Sequence, residues 1–183
     1  MVRLFVAIDL PEEVKQRLEG LCSGVPGARW VRDRQFHLTL RFVGEVDGPG
    51  FRALAEALHA VRGNPFELSL RGVGHFPPRG APRVLWAGVD GHEAVHELHR
   101  RVERIVRRCG HPPEPRKFMP HITLARLRGA PEARVLSFLR EHIALQTEPF
   151  VVDSVQLFRS TLAGEGSIHT VEDSYPLFDA HAA

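Results

Sequence analysis

Apolar residues recur along this chain with two periods. Short runs that alternate apolar and polar positions, or stay apolar between turn residues, cover 3–8, 36–43, 66–73, 83–89, 121–127, 150–158 and 167–171, and predict strands. Between them, residues 11–22, 49–61, 92–109 and 131–142 place apolar side chains every three to four positions, as one face of a helix requires. Pro11, Pro49 and Pro131 each stand near a first helical turn, where a missing N–H costs nothing. In the third helix Val95, Leu98, Val102, Ile105 and Val106 form the apolar face, and His92, His96, His99 and Glu103 form a neighbouring polar stripe expected to be solvated. Strands alternating with helices predict an α/β (α+β) fold. The Gly/Pro stretches 74–82 and 110–115 read as loops too short for flexible linkers. The first of them is either a boundary between halves or the tip of a long hairpin.

One pattern occurs twice. Arg34-Gln35-Phe36-His37-Leu38-Thr39-Leu40 returns in outline as Arg116-Lys117-Phe118-Met119-Pro120-His121-Ile122-Thr123-Leu124, close to half a chain length later and again preceded by a helix. The economical architecture is one bilobal domain over 1–183, each lobe roughly half of the chain and each supplying one such strand. Strand alternation puts His37 and Thr39 on one face and Leu38 and Leu40 on the other; His121 and Thr123 share a face in the same way. With 11 histidines and five threonines in the chain, two such apolar-spaced motifs arise by chance in about one chain in ten thousand. The pair therefore carries more weight than either copy alone.

Composition narrows the chemistry. Lys and Arg number 24 against 22 Asp and Glu, a formal charge of +2, and only Lys15 and Lys117 are lysines. A charge this small excludes a polybasic nucleic-acid coat. Neither lysine stands in a Gly-rich phosphate loop or an adenylation K-x-D-G motif, which argues against P-loop NTP hydrolysis and ATP-dependent covalent ligation. Two cysteines make no disulfide scaffold and fit a reducing compartment. The first residues hold too few apolar positions for a signal peptide or a membrane span, so a soluble, cytoplasmic protein, a monomer without membrane contact, is expected.

Two imidazoles supply one neutral base and one protonated acid near neutral pH, and threonine hydroxyls donate hydrogen bonds to non-bridging phosphate oxygens. In-line phosphodiester chemistry needs that set and requires no metal or other cofactor if the leaving oxygen is protonated. At these residues the chain resembles the two-histidine (2H) phosphoesterases, specifically the bacterial and archaeal RNA 2′,3′-cyclic phosphodiesterase branch, also called 2′-5′ RNA ligases. The likeness runs through Leu4-Phe5-Val6-Ala7-Ile8, FHLTLRFVGEV at 36–46, PHITLAR at 120–126, residues 157–162 and Gly166-Ser167. It implies a bilobal duplicated fold with two mainly antiparallel sheets, flanking helices and a central cleft. It further implies His37 as general acid, His121 as general base, Thr39 and Thr123 on the phosphate oxygens, and RNA ends with a 2′,3′-cyclic phosphate as substrate, hydrolysed to 2′-phosphomonoesters. Any 2′-5′ joining would reverse the same chemistry. The resemblance assigns a phosphate contact to Arg126, although strict alternation sets Arg126 on the core face; Arg41 has the parity of His37 and is the second candidate. By the same resemblance, many relatives have a tyrosine where this chain has His169, which reads as an exposed strand residue.

Other readings compete. His92-Glu93-Ala94-Val95-His96 matches the zinc-peptidase pattern H-E-x-x-H on a predicted helix, yet about 0.05 matches per chain arise from composition alone. No metal site is expected there. A non-catalytic RNA-end-binding module is the third reading. The arginines at 100, 101, 104, 107 and 108 read as a solvated helix surface, and Phe42, Phe76 and Trp86 read as core rather than base-stacking residues.

Overall fold

The four helices stand where their apolar stripes put them: α1 (Glu12–Glu19), α2 (Gly48–Leu58), α3 (His92–Arg108) and α4 (Glu132–His142). Asp47 caps α2 by accepting from the Gly50 N–H at 2.8 Å, with Pro49 in the first turn, while Pro11 and Pro131 occupy the cap positions of α1 and α4. The computed structural model describes residues 1–178 apart from Asp33 and Glu165, and the backbone but not the side chain of His92. Residues 179–183 of the expected domain lie outside the described residues.

The strands are β1 (Val2–Asp9), β2 (Ala28–Trp30), β3 (His37–Val46), β4 (Phe66–Phe76), β5 (Val84–Asp90), β6 (His121–Leu127), β7 (Phe150–Val152), β8 (Ser154–Ala163) and β9 (Gly166–Pro176). They pair antiparallel in the order β7-β4-β5-β6-β3-β1-β8-β9, with β2 on β6. The Gly/Pro stretch after β4 is the tip of the β4–β5 hairpin. The apolar run at 150–158 is two strands parted at Asp153: β7 joins β4 while β8 joins β1. β2, three residues long, has no period to read.

The path nearly divides between β3 and β6, where one register pair, Leu38 with Ile122, is all that joins them. The fold is thus mixed α/β, a curled sheet of two antiparallel arrays flanked by helices. Each array holds one His-x-Thr strand, but they are interleaved rather than consecutive halves of the chain. β8 and β9 return to pair beside β1, so both ends of the chain contribute to the β3 array, while β4 to β7, joined by the earlier β2, build the β6 array.

On β1 the alternation sorts the two faces. Leu4, Val6 and Ile8 enter the main core with Val95, Leu98, Val102 and Val106 of α3; Phe5 and Ala7 join Phe158 in a small separate cluster. That second cluster lies on the sheet face turned away from the helices, beside the junction of the arrays. Among the described residues no helix is long and apolar enough to cross a membrane.

Candidate active site

A β-bulge in each motif strand decides which side chains reach the site. Along β1, Ala7 pairs with Thr39 and Val6 with Arg41, so Leu40 has no partner. Along β5, Trp86 pairs with Thr123 and Leu85 with Ala125, so Leu124 has none. The extra residue reverses the alternation that follows. Leu40 and Arg41 consequently both point to the helix side, as do Leu124 and Ala125, and all four are buried. The next position returns to the other face: Phe42, opposite Phe5, in one strand and Arg126, in register with Val84, in the other.

The antiparallel Leu38–Ile122 pair sets Thr39 opposite His121 and His37 opposite Thr123. Each histidine is therefore level in register with the other strand's threonine across the junction. Both rings are fixed in the same way: His37 Nδ1–H donates to the Gln35 carbonyl at 2.9 Å and His121 Nδ1–H to the Met119 carbonyl at 2.7 Å. With Nδ1 carrying that proton, Nε2 is the atom left for chemistry in each ring.

The surroundings hold both rings neutral. His37 packs on Phe5 with centroids 4.8 Å apart, on Phe158 at 5.8 Å, and edge-on to His169 at 5.0 Å. Burial, chiefly, and the charge of His169 lower its pKa to about 4, against the Gln35 hydrogen bond, which raises it. Asp9, in register with His37 and paired with Lys15 at 2.7 Å, also favours the proton, and Lys15 opposes it. His121 stands perpendicular to Phe76 at 4.9 Å. Burial lowers its pKa too, and Arg126 adds to that drop while the Met119 carbonyl works against it.

Arg126 is brought into the site and Arg41 is not. Arg126 is exposed on the His121 face, and its charge acts on both His121 and His169. Arg41, 5% exposed, faces the helices instead. It is bonded to Glu103 of α3, to the carbonyls of Phe42 and Pro112, and to Glu114 at 3.3 Å. Its expected phosphate contact is corrected by the bulge at Leu40, which turns the side chain over. A signal for this lay in the repeat: the slot of Arg41 in the first copy holds the apolar Ala125 in the second. Phe42, read as core, is 56% exposed for the same reason. Trp86 lies beside Thr123 on the site face, its ring filling the space over Gly74, where an added Cβ would come within 2.3 Å of it.

The polar stripe of α3 is docked rather than solvated. His99 Nδ1 lies 2.9 Å from the carbonyl of Leu40, the bulge residue, while its ring stacks on Phe118 at 3.9 Å. His96 meets the same phenyl ring edge-on at 5.2 Å. The side chain of His92, the other histidine of the H-E-x-x-H pattern, lies outside the described residues. Among the described residues no group of three or more His, Cys, Asp or Glu is arranged to hold a metal ion. Arg101 is engaged by Glu97 and the Arg62 carbonyl; Arg100, Arg104, Arg107 and Arg108 line an open groove on α3 with His99 and Glu103.

Comparison with known proteins agrees with this geometry. The model of the "LigT like Phosphoesterase" family matches residues 8–86 and again 89–169, one motif in each stretch. An Aeropyrum pernix protein named RNA 2′,3′-cyclic phosphodiesterase is 41% identical over 151 residues, 80% of this chain and 84% of that one. A Thermotoga maritima protein of the same name is 36% identical over 176 residues, covering 93% and 92%. Among solved structures, a Thermus thermophilus protein superposes with a TM-score of 0.78 at 32% identity, covering 98% of this chain and all of that one. Escherichia coli LigT complexed with 3′-AMP gives 0.76 at 28% identity, covering 96% and 98%. With two His-x-Thr strands meeting at the junction of two antiparallel arrays, and the family model matching once around each, this chain belongs to the LigT-like phosphoesterases of the two-histidine superfamily.

Proposed function

We propose that the protein hydrolyses the 2′,3′-cyclic phosphate at RNA ends to a 2′-phosphomonoester, acting as one domain that spans the chain. The observation that carries this reading is the matched pair of imidazoles, each pinned through Nδ1 to the carbonyl two residues back, on two strands that the Leu38–Ile122 pair brings side by side. The names of the relatives and the nucleotide held by LigT support the substrate class. Thr39, Thr123 and Arg126 hold the phosphate oxygens. His121 Nε2 takes a proton from water as the water oxygen attacks phosphorus. The bond from phosphorus to O3′ breaks in line, and His37 Nε2–H delivers the proton to O3′. A ribose 3′-hydroxyl and a 2′-phosphate remain, with His121 protonated and His37 neutral, and proton exchange with solvent restores the pair.

His37 is neutral in the free protein, so the negative charge of the substrate must raise its proton affinity for it to serve as the acid. A 5′-hydroxyl in place of water would give a 2′-5′ phosphodiester by the same step, so joining and hydrolysis share one machinery. The test is product analysis on an oligonucleotide ending in a 2′,3′-cyclic phosphate, with His37→Ala and His121→Ala as controls. A 2′-phosphate product made by the parent and by neither variant is the expected result; a 3′-phosphate product overturns the assignment of the leaving oxygen.

A further inference from the structure

A third imidazole stands at the site. β9 brings His169 opposite Ser160 of β8, and its ring closes over the Phe5 side chain that also carries His37. The His169 ring is perpendicular to Phe5 at 5.0 Å and to His37 at 5.0 Å. One residue fixes both imidazoles: the Gln35 side-chain oxygen accepts from the His169 backbone N–H at 2.8 Å, and the Gln35 backbone carbonyl accepts from His37 Nδ1. The sequence expectation of an exposed strand residue is therefore corrected, because the curl of the sheet folds β9 in beside β3.

The side chain itself has no structural employment that its ring nitrogens would serve. His169 Nδ1 is buried without a hydrogen-bond partner among the described residues, whereas the Nδ1 atoms of His37 and His121 each have a carbonyl. Packing against Phe5 and His37 needs only the ring face and edge, which phenylalanine would provide without leaving a polar atom unpaired. The ring stands edge-on to His37 and within reach of the charge of Arg126, which acts on His169 as it acts on His121. A guanidinium whose charge acts on two imidazoles of lowered pKa is an electrostatic arrangement that an anion completes.

Resting on the phosphodiesterase reading above, we propose that His169 is a third substrate-binding residue of this site, donating a ring N–H to the phosphoryl group on the His37 side while Arg126 holds it from the His121 side. In the free protein burial, chiefly, and the charge of Arg126 lower the pKa of this ring, as they do for His121. The charged groups acting on this cluster are Arg126 from β6 and Asp9 and Lys15 from β1 and α1.

The test compares the parent with His169→Phe, which keeps the aromatic packing, and with His169→Gln, which restores a donor without the ring. Inorganic phosphate is titrated by calorimetry, and the 15N signals of the histidine rings are followed in the same titration. Loss of one charge-assisted hydrogen bond predicts that His169→Phe binds phosphate about 10-fold more weakly, with His169→Gln between. The His169 ring signals, identified by their absence from His169→Phe, should move on phosphate addition, a response that a packing role would not produce. Unaltered phosphate affinity in His169→Phe, or ring signals that stay still while the parent saturates, overturns the proposal. A parent that binds phosphate but does not turn over the cyclic ester defeats the phosphodiesterase reading, and with it the substrate role assigned to His169. Phosphate loss confined to the variants, with turnover intact in the parent, supports both.

Discussion

Replacing His37 with glutamine should remove a defined part of the acid sensitivity of folding. Burial, chiefly, against Phe5 and Phe158 holds the native imidazole at about 4, whereas the unfolded chain titrates near ~6.5. The unfolded chain thus takes up the proton first as the pH falls. The stability associated with the neutral ring is complete above ~6.5, declines between ~6.5 and 4, and is gone below 4. That gap corresponds to ~3 kcal/mol in full, of which ~2 kcal/mol is lost by pH 5. Urea unfolding at pH 8 and pH 5 measures the effect as a difference of differences. The stability lost by the parent between the two pH values should exceed that lost by His37→Gln by ~2 kcal/mol. His121 and His169, whose pKa values are also lowered, remain in both proteins and cancel to first order. Equal losses in parent and variant would refute the desolvation on which the acid–base cycle depends, because a ring titrating normally would have no need of substrate charge to become the acid only when bound.

His37→Ala and His121→Ala should each lower kcat for a cyclic-phosphate dinucleotide by ~10²–10⁴, and the parent's rate should follow a bell-shaped pH profile; full activity in either variant would remove that residue from the reaction. Turnover measured before and after exhaustive EDTA treatment should agree within error, since no step routes through a metal; a loss restored by zinc would return attention to the α3 histidines. Arg126→Ala should raise KM and lower kcat/KM while leaving urea stability within ~0.5 kcal/mol. Arg41→Ala should do the reverse, costing ~3 kcal/mol of stability by leaving Glu103 without its buried partner, and Arg126-like kinetics in that variant would contradict the bulge. Phe42→Ala should weaken binding of a nucleoside 2′,3′-cyclic phosphate by ~10-fold through lost base stacking, with an abasic ribose cyclic phosphate unaffected; equal effects on both would mean that Phe42 does not meet the base.

The helices and the two His-x-Thr strands were legible because each depends on local alternation. α3 needs only its apolar stripe, and His37 and Thr39 share a face whatever the rest of the sheet does. What lay beyond reach was set by pairing at a distance. β7 and β8 read as one strand because apolar residues recur from Phe150 to Phe158 with no Gly or Pro between them, and only their partners, β4 and β1, separate them. The stripe of His96, His99 and Glu103 looks solvated on a helical wheel. It docks because β3 bulges at Leu40 and leaves a carbonyl for His99 and a cation for Glu103.

The two bulges make the duplicated motif asymmetric in function while keeping it symmetric in backbone. Each strand turns two consecutive residues inward after its threonine and then returns one to the site. In the second copy that inward pair is Leu124 and Ala125, both apolar, and the returned side chain is Arg126, a cation on the His121 face. In the first copy the inward pair includes Arg41, which must be neutralised by Glu103 and Glu114 to remain buried, and the returned side chain is Phe42, an exposed ring on the His37 face. Exchanging the two returned residues, Phe42→Arg together with Arg126→Phe, would conserve the residues and the bulges but move the cation from the His121 side to the His37 side. The charge would then press on His37 and leave His121, so the acidic limb of the pH–rate profile should move up and turnover should fall. Because both slots are exposed in the parent, the exchange should leave the unfolding midpoint close to its original value. A double variant with parental kinetics would mean that the position of the cation relative to the two imidazoles does not matter to the reaction, and the division of labour drawn from the bulges would fall with it.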